Sequence, residues 1–124
     1  MAEEIATYLG QKGYSIFKEN ISVEDQHWLR EQLTVKPYIP KSPAPPIKFP
    51  IYRESMYKLY VPRFYGKSVY GEPEAIKLDE PEKSNMKFIG ELRPYQNNIV
   101  SSYHKNLEKG GGLLEVPCGR GKTI

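Results

Sequence analysis

The chain has few of the residues that most directly reveal chemistry. It contains one cysteine, Cys118, and two histidines among 124 residues. A single cysteine excludes an internal disulfide framework and fits a reducing compartment, and without a Cys/His cluster no zinc site is indicated. There is no long apolar run, so no membrane span is predicted. The acidic start also lacks the apolar core of a signal peptide, and we therefore expect a soluble intracellular protein.

The net positive charge of the chain is concentrated in its middle part. Residues 35–70 hold seven basic residues and one acidic residue, whereas residues 1–34 hold three basic and six acidic ones. Tyrosines interleave with these cations, a pattern that is typical of surfaces that neutralise phosphates and stack on bases. Tyrosines in a small sheet also build cores, and spaced lysines also form solvated faces. The residues predicted to contact nucleic acid are Lys58, Tyr60, Arg63, Tyr65 and Lys67.

The first part of the chain, residues 1–34, is interpreted as an N-terminal helical segment. Ser22 is placed to cap a helix that begins at Val23, since a serine hydroxyl accepts from the exposed N–H groups of the first turn. A short earlier helix is predicted over residues 5–9. The apolar stripe expected in the core consists of Trp28, Leu29 and Leu33.

Proline density divides the next part of the chain. Residues 35–50 contain six prolines, which predicts an extended connector and leaves open a ligand for a proline-binding domain. Residues 51–87 are predicted to form a basic, tyrosine-rich β module. Its strand covers residues 57–61 and ends at Pro62, and turns are expected at Gly66 and Gly71.

The last part, residues 88–124, has the order of elements that opens an α/β nucleotide-binding domain. A helix is predicted over residues 92–109, with Pro94 at its first position and glycines at its end. A buried strand is predicted over residues 113–116, directly before Gly119-x-Gly121-Lys122-Thr123.

This glycine-containing segment predicts a phosphate-binding loop. Glycines allow backbone N–H groups to turn toward an anion, a lysine reaches the β- and γ-phosphates, and a Thr hydroxyl binds Mg²⁺. The strict motif has glycine where Val116 stands, so a glycine-rich surface turn remains the alternative. The predicted ATP-binding residues of this segment are Pro117, Cys118, Gly119, Arg120, Gly121, Lys122 and Thr123, and Thr123 is also the predicted Mg²⁺ ligand.

A second motif, Leu92-Arg93-Pro94-Tyr95-Gln96, lies a little over twenty residues before Gly121. Together the two motifs resemble those of superfamily 2 helicases, in which such a segment precedes motif I of the first RecA-like domain. The resemblance implies that Gln96 reads the adenine edge, because an amide both donates and accepts hydrogen bonds. It also implies an ATP- and Mg²⁺-dependent motor that acts on DNA or RNA.

Upstream, the stretch from Glu31 to Pro37 and the stretch from Leu59 to Gly66 resemble the N-terminal region of helicases from large nucleo-cytoplasmic DNA viruses. That group is similar to the poxvirus transcript-release helicase. The resemblance implies work in transcription or DNA repair, with transcription machinery as a partner and the virion or host cytoplasm as the location.

The implied fold is an α+β accessory N-terminal module followed by the truncated start of an α/β RecA-like P-loop domain. The family's acidic box, coupling motif and arginine finger follow motif I and are not in this chain, so residues 1–124 alone are expected to be inactive. Two alternatives stay open, a non-catalytic nucleic-acid-binding module and another P-loop NTPase or kinase.

Overall fold

The computed structural model describes residues 6–122, which divide into two compact units. The first unit ends at Glu82 and the second begins at Lys83. The sequence placed the corresponding boundary between residues 87 and 88. The two units are described separately below.

A β-hairpin is the first element in the described part of the first unit. Strand β1 (Thr7–Gly10) pairs antiparallel with strand β2 (Gly13–Phe17). Gly13 has φ 103°, and a Cβ at this position would lie 2.6 Å from the carbonyl oxygen of Val61, so the turn requires glycine. The helix predicted over residues 5–9 is therefore wrong from Thr7 onward, while Ile5 lies outside the described residues.

The hairpin is the centre of a five-stranded sheet. Strand β6 (Lys58–Val61) pairs antiparallel with β2, and strand β5 (Arg53–Glu54) pairs antiparallel with β6. Strand β7 (Ala75–Ile76) pairs parallel with β1, which gives the order β5-β6-β2-β1-β7. The sequence assigned residues 1–34 and 51–87 to different segments, but one sheet joins them, because β2 pairs with a strand that lies far along the chain.

The proline-rich connector is bounded by a second, two-stranded sheet. Strand β3 (Thr34–Val35) pairs antiparallel with strand β4 (Phe49–Pro50). Residues 36–48 between them contain neither helix nor strand. Their proline content explains this, since proline lacks the N–H that a helix or a central strand needs.

Helix α1 (Val23–Gln32) begins where the sequence predicted. The Ser22 hydroxyl accepts a hydrogen bond of 3.0 Å from the Asp25 N–H. Leu29 is buried as predicted, but Trp28 is 44% exposed, so its assignment to the core is wrong. Consecutive residues on a helix point about 100° apart, and the face that buries Leu29 therefore turns Trp28 outward.

Helix α2 (Arg63–Tyr70) stands where the sequence predicted turns in a β module. Gly66 is buried inside this helix, and a Cβ on it would overlap the Cβ and ring of Tyr14. The glycine therefore lets the helix approach the sheet closely. This tertiary contact outweighs the weak intrinsic helix propensity of glycine.

Both helices pack on one face of the five-stranded sheet. The strands contribute alternate residues to this core, since successive side chains point to opposite faces. The buried cluster consists of Tyr14, Ile16, Leu29, Leu33, Leu59 and Val61. The partly buried residues Ile21, Tyr52, Tyr65 and Tyr70 pack against it.

A carboxylate of β5 links the sheet to α1. Glu54 Oε2 lies 3.0 Å from Lys18 Nζ and 2.9 Å from Arg30 Nη2. The hydrogen bonds from Arg30 and Lys18 hold the pKa of Glu54 below its ordinary value of 4.5. These groups are partly exposed, so the pair makes a modest contribution to stability.

The described residues of the second unit contain one α-helix. Helix α3 (Pro94–Lys105) has proline at its first position as predicted, and a 3-10 turn (Leu107–Lys109) ends at Gly110 with φ 72°. Leu113 is 93% exposed and residues 113–116 form no strand, so the predicted buried strand is wrong for the described chain. A strand needs a partner to satisfy its backbone groups, and no strand is present in the described residues of this unit.

No helix within residues 6–122 combines the length and the apolar character that crossing a bilayer requires.

Replacement of Gly66 by alanine tests the close approach of α2. Alanine favours a helix over glycine by about 1 kcal/mol, whereas overpacking a core costs about 1–3 kcal/mol and often more when the neighbour is fixed. Tyr14 is fully buried. We therefore expect Gly66→Ala to lower the free energy of unfolding by at least about 1 kcal/mol in urea denaturation. Val69→Ala, at an exposed position of the same helix, should stay within about 0.5 kcal/mol. Equal stability of Gly66→Ala and wild type would refute the contact.

The ion pairs of Glu54 predict a pH-dependent contribution to stability. Because the folded pKa lies below the unfolded one, the contribution is complete above the ordinary value of 4.5 and is lost as the pH falls through the folded pKa. Glu54→Gln should lower stability at pH 7 by up to about 1 kcal/mol, and the difference from wild type should shrink at pH 3. Urea unfolding at both pH values measures it. Glu31→Gln, which removes an exposed carboxylate of α1, is the control, and an equal difference at both pH values would count against the ion pairs.

Candidate nucleotide-binding loop and sheet face

The segment from Pro117 to Lys122 forms a loop with two left-handed glycines. Gly119 has φ 74° and Gly121 has φ 75°. Non-glycine residues adopt this conformation at a cost, and left-handed residues are components of the N–H nests that bind phosphate. The backbone is therefore of the kind that an anion-binding loop requires.

Lys122 folds back over this loop. Its Nζ donates hydrogen bonds of 2.8 Å to the Val116 carbonyl and 3.2 Å to the Pro117 carbonyl. The ammonium group thus joins the end of the loop to its beginning. Its positive charge lies beside the glycine backbone, where a phosphate group would be attracted.

Gln96 connects helix α3 to the loop. Its Oε1 accepts a hydrogen bond of 2.9 Å from the Arg93 N–H, and its Nε2 donates one of 3.3 Å to the Arg120 carbonyl. The orientation of the amide follows from its partners, because a backbone N–H only donates and a carbonyl only accepts. Gln96 is 8% exposed and is the one buried residue in the described part of the second unit. The structure therefore brings the two sequence motifs together.

Tyr95 adds a contact that the sequence analysis missed. Its hydroxyl donates a hydrogen bond of 3.4 Å to the Arg120 carbonyl, and the Arg120 guanidinium carbon lies 5.2 Å from the centre of its ring. The signal was its position beside Gln96 in the same motif. Two neighbouring side chains of α3 thus bind the same carbonyl of the loop.

The remaining loop residues are exposed. Pro117 and Cys118 both lie at the surface, so Cys118 does not fill a tight space in the loop. Thr123 lies outside the described residues, and its role as an Mg²⁺ ligand stays a prediction. Within residues 6–122, no group of three or more His, Cys, Asp or Glu side chains is placed to hold a metal ion.

The five residues predicted to contact nucleic acid do not form one site. Lys58 and Tyr60 alternate with buried residues of β6, whereas the other three lie on α2, which packs against the opposite face. Tyr65 joins the core, and burial raises the pKa of its hydroxyl. Lys67 Nζ lies 2.7 Å from Glu72 Oε2. The guanidinium carbon of Arg63 lies 5.6 Å from the centre of the Phe64 ring.

Lys58 and Tyr60 instead share a sheet face with residues of the hairpin. Tyr60 is opposite Ser15, which is opposite Tyr8, and Phe17 is opposite Lys58. The sequence analysis missed the hairpin residues because it predicted a helix over residues 5–9. Two short β-forming runs separated by a glycine-containing turn were the available signal.

Cations surround the Tyr8 hydroxyl on this face. Lys58 Nζ lies 3.2 Å from it and donates a hydrogen bond. Burial raises the pKa of Tyr8, but polar contacts with Ser15 and Lys58 and the charges of Lys58 and Lys77 outweigh burial and lower it below the ordinary value of 10.0. The positive charges of Lys58 and Lys77 therefore act on Tyr8 at this face.

Comparison with known proteins gives one informative similarity. A protein of Acanthamoeba polyphaga mimivirus, named as a "Putative ATP-dependent RNA helicase", is 35% identical over an alignment of 130 positions. The alignment takes in 99% of this chain and 25% of the viral protein, so the chain spans a quarter of the length of this relative. No family model matches the chain. No solved structure matches it either. The similarity supports a relationship to helicases.

Substitutions of Gln96 separate its two contacts. Gln96→Ala removes both hydrogen bonds and should reduce the helix content of the second unit. Its free energy of unfolding should fall by about 1 kcal/mol, which is the usual contribution of a helix cap. Gln96→Glu keeps an acceptor for the Arg93 N–H but loses the donor to the Arg120 carbonyl. We expect it to retain the helix in circular dichroism while the amide signals of Arg120 and Gly121 shift in NMR spectra.

Asn97→Ala, at the next and exposed position of α3, is the control for this pair. If Gln96→Glu left the loop signals unchanged, or if Asn97→Ala shifted them equally, the link between α3 and the loop would be disproved.

Proposed function

We propose that this chain is part of an ATP-dependent superfamily 2 helicase or translocase. Residues 88–124 begin a RecA-like ATP-binding domain, and the first unit is an α+β accessory module that acts on the nucleic-acid substrate. The observation that carries the proposal is the hydrogen bond between Gln96 and the Arg120 carbonyl, because it joins the adenine-reading motif to the phosphate loop. The name of the mimivirus relative, which includes ATP dependence and RNA, supports the same activity.

Gln96 retains the capacity to read adenine. A carboxamide oxygen accepts two hydrogen bonds and its nitrogen donates two. Each atom makes one hydrogen bond to the Arg93 or Arg120 backbone. One acceptor site and one N–H therefore remain, which is the pair that the adenine edge requires.

The loop residues fit the phosphates of Mg-ATP. Left-handed Gly119 and Gly121 turn backbone N–H groups, and Lys122 supplies a positive charge at the same place. The Thr123 hydroxyl would bind Mg²⁺, which neutralises charge on the phosphates during transfer. The lysine would exchange its neutral carbonyl partners for phosphate oxygens, whose negative charge attracts the ammonium group more strongly.

Phosphoryl transfer also requires an acidic residue for Mg²⁺, a positioned water and an arginine on the γ-phosphate. In superfamily 2 helicases these follow motif I. We therefore expect residues 1–124 alone to hydrolyse no ATP. The substrate is DNA or RNA, and a viral role in transcription or repair, with transcription machinery as partner, is the extension of the family resemblance.

A non-catalytic nucleic-acid-binding module is the second candidate, and the basic, aromatic sheet face of the first unit favours it. In that case the glycine loop would bind no nucleotide. Another P-loop NTPase or kinase is less favoured, because a small-molecule kinase needs neither the adenine-reading Gln96 nor a basic accessory module.

Loss of the Lys122 charge tests the ATP site. In the longer protein that contains these residues, we expect an ATPase rate that nucleic acid stimulates. Lys122→Ala should reduce that rate by about a hundredfold or more, since removing one preorganised charge or donor at a transition state typically costs this much. Lys105→Ala, at the exposed end of α3, should keep wild-type activity.

Steady-state phosphate release with and without nucleic acid measures both rates. An unchanged rate in Lys122→Ala, or turnover by residues 1–124 alone, would contradict the proposed assignment of the loop.

A further inference from the structure

The five-stranded sheet has one face that its helices leave uncovered. Leu29, Leu33, Tyr65 and Tyr70 place both helices of the first unit on the side of Tyr14 and Ile16. The alternate residues of the same strands point to the opposite side. We call that side the open face and define it by Tyr8, Lys12, Phe17, Lys58, Tyr60 and Lys77.

The aromatic rings of the open face are close neighbours. The ring centres of Tyr8 and Phe17 are 6.0 Å apart, with a tilt of 53°. Tyr60 lies two strands from Tyr8 in the same register, with the small residue Ser15 between them. The three rings therefore line a continuous surface across β1, β2 and β6, and all three remain partly exposed.

Lysines lie over these rings, and within the described residues of the first unit none of the three lysines forms a salt bridge. Lys58 Nζ lies 4.6 Å from the centre of Phe17, Lys77 Nζ lies 4.5 Å from that of Tyr8, and Lys12 Nζ lies 5.1 Å from that of Tyr60. The salt bridges within residues 6–82 use Lys18, Arg30 and Lys67 instead, and Glu54 is bound on the α1 side. The open face thus combines three aromatic rings with three lysines that form no salt bridge to a carboxylate within residues 6–122.

We propose that the open face binds single-stranded nucleic acid, with bases stacked on the rings and phosphates held by the lysines. Stacking needs unpaired bases, because the faces of paired bases are covered inside a duplex. The lysines already lie at the rings, so a strand would meet both groups within a few ångströms. This inference rests on the proposed function and adds the substrate class and the surface that holds it.

Charge complementarity selects this occupant. A polyanion that carries flat bases matches both components of the open face, whereas an acidic peptide matches only the lysines. The three predicted residues on α2 have no share in this surface. Arg63, Tyr65 and Lys67 therefore should not contribute to single-strand binding.

The test uses the 124-residue chain with labelled single-stranded DNA and RNA oligonucleotides and a duplex of the same sequence. Lys12→Gln with Lys77→Gln removes two exposed charges. Each phosphate neutralised on a single strand contributes about 0.7 to the slope of log affinity against log salt, so this double variant should lower the slope by about 1.4. Tyr60→Leu should weaken binding about tenfold with the slope unchanged, because it removes a stacking platform and no charge.

The matched control is Lys36→Gln with Arg63→Gln, which removes two exposed charges away from the open face. Circular dichroism checks that each variant is folded. Equal loss in the control and in the Lys12/Lys77 pair would overturn the inference, as would equal affinity for duplex and single strand. Binding of an acidic peptide at the same affinity, with the same sensitivity to Tyr60→Leu, would also overturn it.

Failure of this inference is distinguishable from failure of the proposed function. In the longer protein, ATP hydrolysis without nucleic acid reports on Lys122 and should be unchanged by the open-face variants. If hydrolysis depended on Lys122 but the open-face variants bound single strands normally, only the open-face inference would fail. If single-strand binding depended on the open face and no ATP were hydrolysed, only the ATP assignment would fail.

Discussion

The alternation of side chains along strand β2 is the constraint on which the first unit depends. Tyr14 and Ile16 point toward the helices and are fully buried, so Ser15 and Phe17 must point the other way. Strands β1 and β6 flank β2, and their registers place each of their side chains on the same face as the β2 residue opposite it. One strand of five residues therefore decides both what forms the core and what is presented to solvent.

The close packing of α2 follows from the same division. Tyr14 is the largest side chain of the core face, and Gly66 is the residue of α2 that lies against it. Without a side chain at that position the helix can lie directly on the tyrosine ring. The hydroxyl of Tyr14 then donates to the Gly71 carbonyl over 3.2 Å, which fixes the end of α2 to the sheet.

Local sequence signals predicted the structure where the physics is local. The Ser22 cap and the first position of Pro94 depend on neighbouring residues, and both are confirmed. The helix predicted to continue to residue 109 ends at Lys105, and only a 3-10 turn reaches Gly110. The hairpin and α2 were missed because their stability depends on partners far along the chain. Periodicity alone does not reveal that Gly66 meets Tyr14.

For the candidate sites, too, the sequence showed local motifs but not contacts between residues far apart in the chain. Lys122 was identified from the glycine-containing motif and Gln96 from the family resemblance, and the structure adds the hydrogen bond of Gln96 to the loop. The open face was missed because only the strand register shows that Tyr8, Lys12 and Phe17 lie on one surface. Arg63, Tyr65 and Lys67 looked equivalent to Lys58 in composition, but a helix places them on the other side of the sheet.

The hydrogen bonds of the loop also determine how it can receive a phosphate. The Arg120 carbonyl accepts from Gln96 and from Tyr95, which uses both of its lone pairs, while Lys122 donates to two carbonyls. A phosphate must therefore take the lysine away from neutral acceptors. A phosphate oxygen carries a charge opposite to that of the ammonium, whereas a carbonyl offers only a dipole, so this exchange favours the phosphate. In the proposed site, the contacts of Gln96 and Tyr95 would not compete with the anion, and they would hold the glycine backbone in place while the lysine changes partners.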